Sequence, residues 1–180
     1  MYHDVPVTHP KEIIEPYAQM VLDKLASADW EGYFFTFMFN YLSGSPKITI
    51  RHMHQIVGTF FSRLVTRIVN RPNTRSGKER SPIAIFFMDA PDGLEAMDMR
   101  DVTVNDGVHM HGIVMIYKRN RLKDPLGVHI VKNKALYSVG SSIHRIDVRV
   151  ITHSSDKATE YAGKAVSKRR FGYDDILVLC

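Results

Sequence analysis

The sequence predicts an α+β fold in which one central antiparallel sheet is flanked by helices. Four segments have the composition or the alternation that is typical of β-strands. Helical periodicity separates the first strand from the second and the third from the fourth, whereas the second and third follow each other directly. The resulting order, β-α-β-β-α-β, is that of ferredoxin-like and RRM-like domains, with the first and third strands at the centre of the sheet.

The first half of the chain supplies two helices and two strands. Residues 11–27 have apolar side chains at helical spacing and predict a helix ahead of the sheet. Residues 32–42 are dense in aromatic side chains, which indicates a buried strand. Residues 49–70 predict the second helix. After a basic loop at 70–82, residues 83–90 predict the second strand.

The second half repeats this alternation after an acidic connection at residues 91–107. The elements that the patterns predict are a strand at 108–117, a helix at 125–139, a strand at 145–152, a helix from Ser154 or Ser155 to about 170, and a short strand at 176–179. Residues 118–123 form a basic turn after the third strand. With 180 residues and 44% hydrophobic content, the chain has the size of one domain.

The composition narrows the class of protein. A formal net charge of +5 suits an acidic partner such as nucleic acid. Cys180 is the single cysteine, so no disulfide can form within the chain and a reducing compartment is expected. The N-terminus lacks the pattern of a signal peptide, and the longest apolar run, 83–88, is too short to span a bilayer. We therefore expect a soluble intracellular, cytoplasmic protein with no membrane partner.

Two histidines on the third strand are the leading metal-ligand candidates. His109 and His111 are separated by one residue, so their side chains point to the same face of the strand. Asp89 is the third candidate, because the end of the second strand lies beside the start of the third in an antiparallel pair. The alternative carboxylates, all in the acidic connection, are Asp92, Glu95 and Asp106.

A second histidine pair occurs on the second predicted helix, as His52-Met53-His54. At about 100° per residue, two side chains that are two positions apart diverge by roughly 200° around a helix. We therefore do not expect this pair to bind one metal ion.

The last predicted helix carries the candidate nucleophile. Tyr161 and Lys164 are three residues apart and share one face of the helix, which Lys168 continues one turn later. A tyrosine hydroxyl, with an ordinary pKa near 10, becomes a useful nucleophile only where cations or a metal stabilise the phenolate. The alternative is a tyrosine that only packs against the sheet.

The ordered set of motifs resembles the HUH endonuclease superfamily, in the single-tyrosine branch that contains rolling-circle replication initiators. The motifs are the aromatic text Phe34-Phe35-Thr36-Phe37 on the first strand, the pair His109 and His111, and Tyr161-x-x-Lys164. The resemblance covers about residues 30–172. It implies one endonuclease domain over residues 1–180, with an N-terminal helical extension at 1–29.

The resemblance also implies a reaction. His109, His111 and an acid would hold Mg²⁺ or Mn²⁺, Tyr161 would attack single-stranded DNA to leave a 5′-phosphotyrosine, and Lys164 would stabilise the phosphate. Such nicking and strand transfer initiates rolling-circle replication of a plasmid, phage or other mobile element at a single strand or hairpin of its origin. The chain has no Gly-x-x-x-x-Gly-Lys-[Ser/Thr] loop, so the resemblance implies a separate helicase, or a chain that is a piece of a longer protein.

Basic side chains outside these motifs are the candidates for contact with DNA phosphates. They follow the second helix or the third strand, or continue the tyrosine helix: Arg71, Arg75, Lys78, Arg80, Lys118, Arg119, Arg121 and Lys168. Binding through such contacts weakens as the salt concentration rises.

Two other classes of function remain open. A non-catalytic, RRM-like module for single-stranded nucleic acid would stack bases on aromatic side chains of the central strands. Phe35, Phe37 and Phe39 alternate on one face of the first strand. A phosphoesterase or metal hydrolase with a water nucleophile would leave no covalent adduct. A histidine phosphoesterase would need two His-x-Ser/Thr pairs, and His153-Ser154-Ser155 offers one.

Overall fold

The computed structural model describes residues 10–90, 104–152, 155–168 and 171–180. The helices are α1 (Pro10–Leu25), α2 (Pro46–Ile68), α3 (Arg75–Glu79), α4 (Leu126–Lys132), α5 (Lys134–Tyr137), α6 (Ser155–Ala162) and α7 (Lys164–Ser167). The strands are β1 (Trp30–Phe39), β2 (Ile83–Asp89), β3 (His109–Tyr117), β4 (Ile143–Val150) and β5 (Ile176–Leu179), and short 3₁₀ turns span Val104–Gly107 and Tyr173–Asp175. None of the helices in these ranges is both long and apolar enough to cross a membrane.

The strands form one five-stranded sheet in the order β4-β1-β3-β2-β5, and every neighbouring pair is antiparallel. This confirms the predicted α+β fold with the first and third strands at its centre. The short strand predicted at 176–179 is confirmed as β5, which adds a fifth strand to the βαββαβ core because Ile176 to Leu179 pair with the free edge of β2.

The main hydrophobic core lies between one face of the sheet and α2. Phe35, Phe37 and Phe39 point into it from β1 and are buried. The Phe60 ring of α2 meets the Phe37 ring edge-on, with 4.9 Å between the centroids. Alternation along β1 therefore sends these rings into the core and leaves Phe34 and Thr36 on the opposite face.

A second, smaller core covers part of that opposite face and is built by α1, α6 and α7 over β2 and β3. Its buried members include Ile14 and Val21 of α1, Phe87 and Ile113 of the sheet, and Val166 of α7. The helix that carries Tyr161 is thus held against the sheet by α1. The helix packs over the strand that carries His109 and His111.

Two helices that the sequence predicts as continuous are each broken in the structure. The helix predicted at 125–139 divides into α4 and α5 at Asn133, whose backbone leaves the helical region (φ −111°, ψ 32°) and whose side-chain amide donates to the His129 carbonyl (2.8 Å). The helix after residue 154 divides at Gly163 into α6 and α7. A Cβ at Gly163 would lie 2.5 Å from Ile14 Cδ1, so only glycine lets α1 pack this closely.

The other differences from the predicted elements are small. The basic loop at 70–82 contains the short helix α3, whose first turn is capped by the Thr74 hydroxyl accepting from the Gly77 amide. α2 begins at Pro46 rather than at residue 49, because proline suits the first turn of a helix. Of the acidic connection, 91–103 lies outside the described residues, together with Asp92 and Glu95, and so do His153 and Ser154.

Candidate metal centre and active site

The register between β2 and β3 brings three candidate ligands together. Asp89 pairs directly with His109, as the antiparallel arrangement predicted, and His111 follows two residues along the same face. One ligand atom from each of the three residues lies within 4.8 Å of the others. Asp106, the alternative carboxylate that falls within the described residues, is not part of this group.

The two imidazoles are oriented by bonds at their Nδ1 atoms. His109 Nδ1 lies 2.8 Å from the Gly107 carbonyl oxygen. Since a carbonyl only accepts, Nδ1 of His109 carries a proton, and its Nε2 is the ring nitrogen that faces His111 and Asp89. His111 Nδ1 lies 3.0 Å from the Thr36 hydroxyl, and the two Nε2 atoms are 3.1 Å apart. Imidazoles held in this way at one nitrogen are typical of metal ligands.

Asp89 is the buried acceptor of the group, with 1% of its surface exposed. Its Oδ1 accepts from the Ala90 amide (2.9 Å), whereas its Oδ2 lies 3.2 Å from His111 Nε2 and 3.5 Å from His109 Nε2. Oδ2 has no hydrogen-bond partner of good geometry among the described residues. Two ring nitrogens and a buried carboxylate oxygen that converge in this way are stable only with protons or a cation between them.

Lys164 supplies one positive charge to this group. Its Nζ lies 3.0 Å from Asp89 Oδ2. Burial raises the pKa of the Asp89 carboxyl, but its contacts with His109, His111 and Lys164 outweigh burial and hold the pKa well below the usual range. The carboxylate is therefore ionised and available as a ligand at neutral pH.

These donors fit a divalent cation. Asp89, His109 and His111 form a group that could hold a metal ion, as the sequence predicted. Two imidazoles and one carboxylate form a ligand set that binds several divalent metals, and it leaves coordination positions for substrate or water. Asp89 Oδ2 already lies beside Lys164 Nζ and both imidazoles, so a cation held by the three ligands would share this oxygen with Lys164.

Tyr161 lies beside the metal group and remains accessible, with 53% of its surface exposed. Its ring centroid is 5.5 Å from that of His111 and 5.8 Å from that of Phe34. Lys164 Nζ lies 4.8 Å from the centre of the Tyr161 ring. The two residues occupy separate short helices rather than one helix face, and the break at Gly163 still leaves both at the metal group.

A cleft of about 470 Å³ opens next to His111 and Tyr161. Besides these two residues, its lining includes Phe34, Thr36, Asp147, Arg149 and Lys157. Arg149 and Lys157 are exposed basic side chains that sequence reasoning did not select. The signal was the alternation of β4: Phe34 pairs with Arg149 and Thr36 with Asp147, so charged side chains of β4 share the face that holds the histidines.

Most of the basic residues that the sequence predicted for DNA contact lie far from this cleft. β3 has nine residues, so at about 3.3 Å per residue its two ends are about 26 Å apart. The metal group occupies one end of β3. The exposed side chains that follow its other end, or follow α2 at that same end, are Arg71, Arg75, Lys78, Arg80, Lys118, Arg119 and Arg121. Lys168 differs from them, because it follows α7, the helix that carries Lys164.

The aromatic side chains that an RRM-like module would offer to bases are not accessible. Phe35 and Phe37 have none of their surface exposed, and Phe39 has 4%. Phe34, on the opposite face of β1, is the half-buried aromatic residue that reaches the cleft.

Comparison of the chain with protein-family models, with curated proteins and with solved structures found no match. The resemblance to HUH endonucleases therefore depends on the motifs in the sequence. The geometry of the site provides independent chemical grounds for a proposal about function.

Proposed function

We propose that this chain is a metal-dependent DNA nicking and strand-transfer enzyme of the HUH type, with Tyr161 as its nucleophile. The observation that carries the proposal is the convergence of Tyr161 and Lys164 on the Asp89–His109–His111 group. A metal-ligand group alone would fit many proteins. An accessible tyrosine and a lysine beside it add the two further parts that covalent cleavage of a phosphodiester needs.

In this proposal, Asp89, His109 and His111 would hold Mg²⁺ or Mn²⁺, and the bound ion would supply a positive charge to polarise the phosphate to be cut. The Tyr161 oxygen forms a new bond to phosphorus, and the bond from phosphorus to the 3′ oxygen breaks. The leaving 3′ oxygen takes up the proton that the phenol loses. The products are a 5′-phosphotyrosine and a free 3′-hydroxyl, and the exchange of one ester for another can run backwards without ATP.

Lys164 has two roles in this proposal. Its Nζ lies 3.0 Å from Asp89 Oδ2 and 4.8 Å from the Tyr161 ring centroid. From there it keeps the Asp89 carboxylate oriented and places a positive charge where the phenolate and the phosphate develop negative charge. A lysine whose ammonium group only faced solvent would not contact Asp89, a carboxylate that is 1% exposed.

The cleft beside His111 is the proposed path of the single strand. Arg149 and Lys157 provide positive charge for phosphates, and Phe34 presents an aromatic face at which a base can stack. The free 3′-hydroxyl would prime synthesis at the origin of a plasmid, phage or other mobile element. A separate helicase would supply the unwound strand.

The same metal group also supports a second function, hydrolysis by a water nucleophile. The Asp89–His109–His111 group is compatible with both reactions, because it leaves coordination positions for water. The two differ in one product: water attack leaves no bond between protein and DNA. The covalent reaction is favoured because Tyr161 is exposed and its ring centroid lies 5.5 Å from that of His111.

The experiment that tests the proposal is a search for the covalent adduct. The protein is incubated with a pool of labelled single-stranded oligonucleotides and Mn²⁺, and the products are separated on a denaturing protein gel. Tyr161→Phe is the test variant. Tyr41→Phe is the matched control, because Tyr41 is also exposed (75%) and lines a different cleft. EDTA removes the metal in a parallel sample.

A slower band that needs Mn²⁺ and disappears only in Tyr161→Phe is the expected result. A band that persists in Tyr161→Phe would exclude this nucleophile. Cleaved DNA without any slower band would favour the water nucleophile instead. If calorimetry detects no binding of Mn²⁺ to the protein, both metal-dependent functions are wrong.

A further inference from the structure

Lys164 and the candidate metal ligands converge on one oxygen atom. Lys164 Nζ lies 3.0 Å from Asp89 Oδ2. The same oxygen lies 3.2 Å from His111 Nε2 and 3.5 Å from His109 Nε2. The other carboxylate oxygen, Oδ1, accepts from the Ala90 amide instead (2.9 Å). The ammonium group therefore contacts the carboxylate oxygen that faces both imidazoles.

A metal ion held by these ligands would lie close to the ammonium group. Metal ions lie about 2.0–2.2 Å from a carboxylate oxygen that binds them. Because Lys164 Nζ lies 3.0 Å from the same oxygen, the two positive charges can be at most about 5 Å apart. At that distance, a divalent and a monovalent charge repel strongly enough to weaken binding by roughly tenfold even at the dielectric constant of water. Asp89 is 1% exposed, so water screens this repulsion less than it would at the surface.

The position of the Asp89 carboxylate does not depend on Lys164 alone. The Ala90 amide holds Oδ1, and the register between β2 and β3 places Asp89 directly opposite His109. The side chain is also buried, which restricts the rotamers that it can adopt. Loss of the lysine charge should therefore leave the carboxylate in place as a ligand and remove only the repulsion.

The Lys164 side chain has a second position within reach. Its backbone is anchored, because the next two residues of α7, Ala165 and Val166, are buried. The lysine side chain itself is 34% exposed and has a flexible four-carbon stem. Its Nζ lies 4.8 Å from the centre of the Tyr161 ring. The ammonium group can therefore move from the carboxylate towards a phosphate beside Tyr161 while α7 stays in place.

We propose that Lys164 opposes metal binding at Asp89 until a DNA phosphate beside Tyr161 binds its ammonium group. The inference rests on the proposed function in one respect: the phosphate is that of the strand to be cut. The opposition at Asp89 itself requires no DNA. Because a phosphate relieves the repulsion, the ion and the strand each raise the affinity of the protein for the other. The site would then hold its ion tightly only when a strand lies in the cleft.

The first test measures Mn²⁺ binding by calorimetry at neutral pH without DNA. Lys164→Gln is the test variant, because its amide can still donate to Asp89 but carries no charge. Lys164→Arg keeps the charge at the same position. Lys157→Gln is the matched control: it removes one charge from an exposed side chain of the same cleft, whereas Asp89 contacts Lys164. Circular dichroism shows whether each variant is folded.

We expect Lys164→Gln to bind Mn²⁺ about tenfold more tightly than the parent protein. Lys164→Arg should stay close to the parent, and Lys157→Gln should change the Kd by less than about threefold because salt screens an exposed charge. A lysine that only supported the ligand group would give the opposite sign, weaker binding in Lys164→Gln. Weaker or unchanged binding in Lys164→Gln would overturn the inference, and so would an equal gain in Lys157→Gln.

The second test measures the coupling between metal and DNA. All proteins carry Tyr161→Phe, so that no strand is cut, and the probe is a fluorescent oligothymidylate of about twenty nucleotides. Anisotropy gives its Kd in EDTA and in saturating Mn²⁺ at constant ionic strength. Mn²⁺ should tighten binding in the protein that retains Lys164, and this gain should be about fivefold smaller in Lys164→Gln. No gain with Lys164, or an equal gain in both proteins, would contradict the coupling.

Failure of this inference can be distinguished from failure of the proposed function. If Lys164→Gln binds Mn²⁺ more tightly but the parent protein forms no adduct with DNA, the opposition at Asp89 is correct and the nuclease is wrong. If the parent protein forms the adduct and Lys164→Gln binds Mn²⁺ more weakly, only the opposition at Asp89 is wrong.

Discussion

The chain contains the tripeptide His-Met-His twice, in two settings that can be compared directly. His109-Met110-His111 lies on β3, and His52-Met53-His54 lies on α2. In both copies the methionine has none of its surface exposed and packs into the main core. On the strand the two Nε2 atoms are 3.1 Å apart. On the helix, positions two apart diverge by roughly 200° around the axis.

The same residues on a strand and on a helix therefore differ in function: the type of secondary structure determines whether two histidines can bind one metal ion. Side-chain direction alternates along a strand with a period of two residues. When the methionine points into the core, the histidines on both sides of it therefore point to the opposite face. A helix has no such repeat, and the group of metal ligands among the described residues includes only the strand pair. His54 instead has a buried Nε2 without a hydrogen-bond partner in the described part of the chain.

Replacing one histidine of each pair should have the largest and most unequal effect. We expect His111→Ala to reduce Mn²⁺ binding below detection in calorimetry and to abolish adduct formation, because it removes one of the three ligands. His52→Ala should retain both, since His52 is outside the ligand group. Full Mn²⁺ binding by His111→Ala would remove His111 from the metal site.

The two methionines test what the copies have in common. Because Met53 and Met110 are equally buried in one core, Met53→Ala and Met110→Ala should each lower the free energy of unfolding by about 2–5 kcal/mol. Urea unfolding measures this loss. Val131→Ala is the control, since Val131 is 74% exposed and should change stability by less than about 0.5 kcal/mol. A loss at Met110 alone would contradict the shared role as core anchors.

Thr36 tests whether the orientation of the imidazole contributes to metal binding, because it contacts one histidine of the strand pair. The Thr36 hydroxyl lies 3.0 Å from His111 Nδ1. Thr36→Val removes that bond with little change in volume, and the loss of such a partner should weaken Mn²⁺ binding by about 10–100-fold. Thr59→Val is the matched control, because the Thr59 hydroxyl only donates to the carbonyl of Gln55 on its own helix. An equal effect of both changes would indicate general destabilisation.

His54 should have the smallest effect, and it appears only in the pH dependence of stability. Burial lowers the pKa of His54 below its ordinary value of 6.5, although Asp175 acts in the opposite direction. The unfolded chain therefore binds this proton more readily than the folded protein. The stabilisation that the neutral form provides is complete above pH 6.5 and decreases as the pH falls toward the lowered pKa.

Thermal unfolding between pH 5 and pH 8 measures this dependence. His54→Gln should flatten the decline below pH 6.5, because it removes the group whose pKa burial lowers. Some decline should remain in His54→Gln, because burial also lowers the pKa of His129. An unchanged profile in His54→Gln would contradict the effect of burial on this group.

Much of the fold could be predicted because its signals are local. The aromatic density of 32–42 and the alternation of 108–117 predicted the two central strands within a few residues of their ends. One wrong prediction concerns the helix after residue 154, which meets a distant helix at the point where it breaks. The residues around Gly163 have helical periodicity, yet they divide into α6 and α7 at this glycine, which packs against Ile14 of α1.

The candidate site divides in the same way. Asp89 was predicted beside His109 because antiparallel strands in sequence have a fixed relation at their adjoining ends. Arg149 and Lys157 were not predicted, because β4 reaches the site through its register with β1 and Lys157 through the docking of α6. Lys118, Arg121 and Lys168 were all predicted to contact DNA phosphates, and the structure places Lys118 and Arg121 at the end of β3 opposite the metal group.

The sequence was enough to predict side-chain directions within one strand or one helix, because these follow from the number of residues per repeat of that element. These include the common face of His109 and His111, the divergence of His52 and His54, and the burial of the methionine between each pair. The distances between different helices and strands are known only from the tertiary structure. It placed Tyr161 over His111 and Lys164 against Asp89, because helix docking and strand register depend on packing among residues distant in the chain.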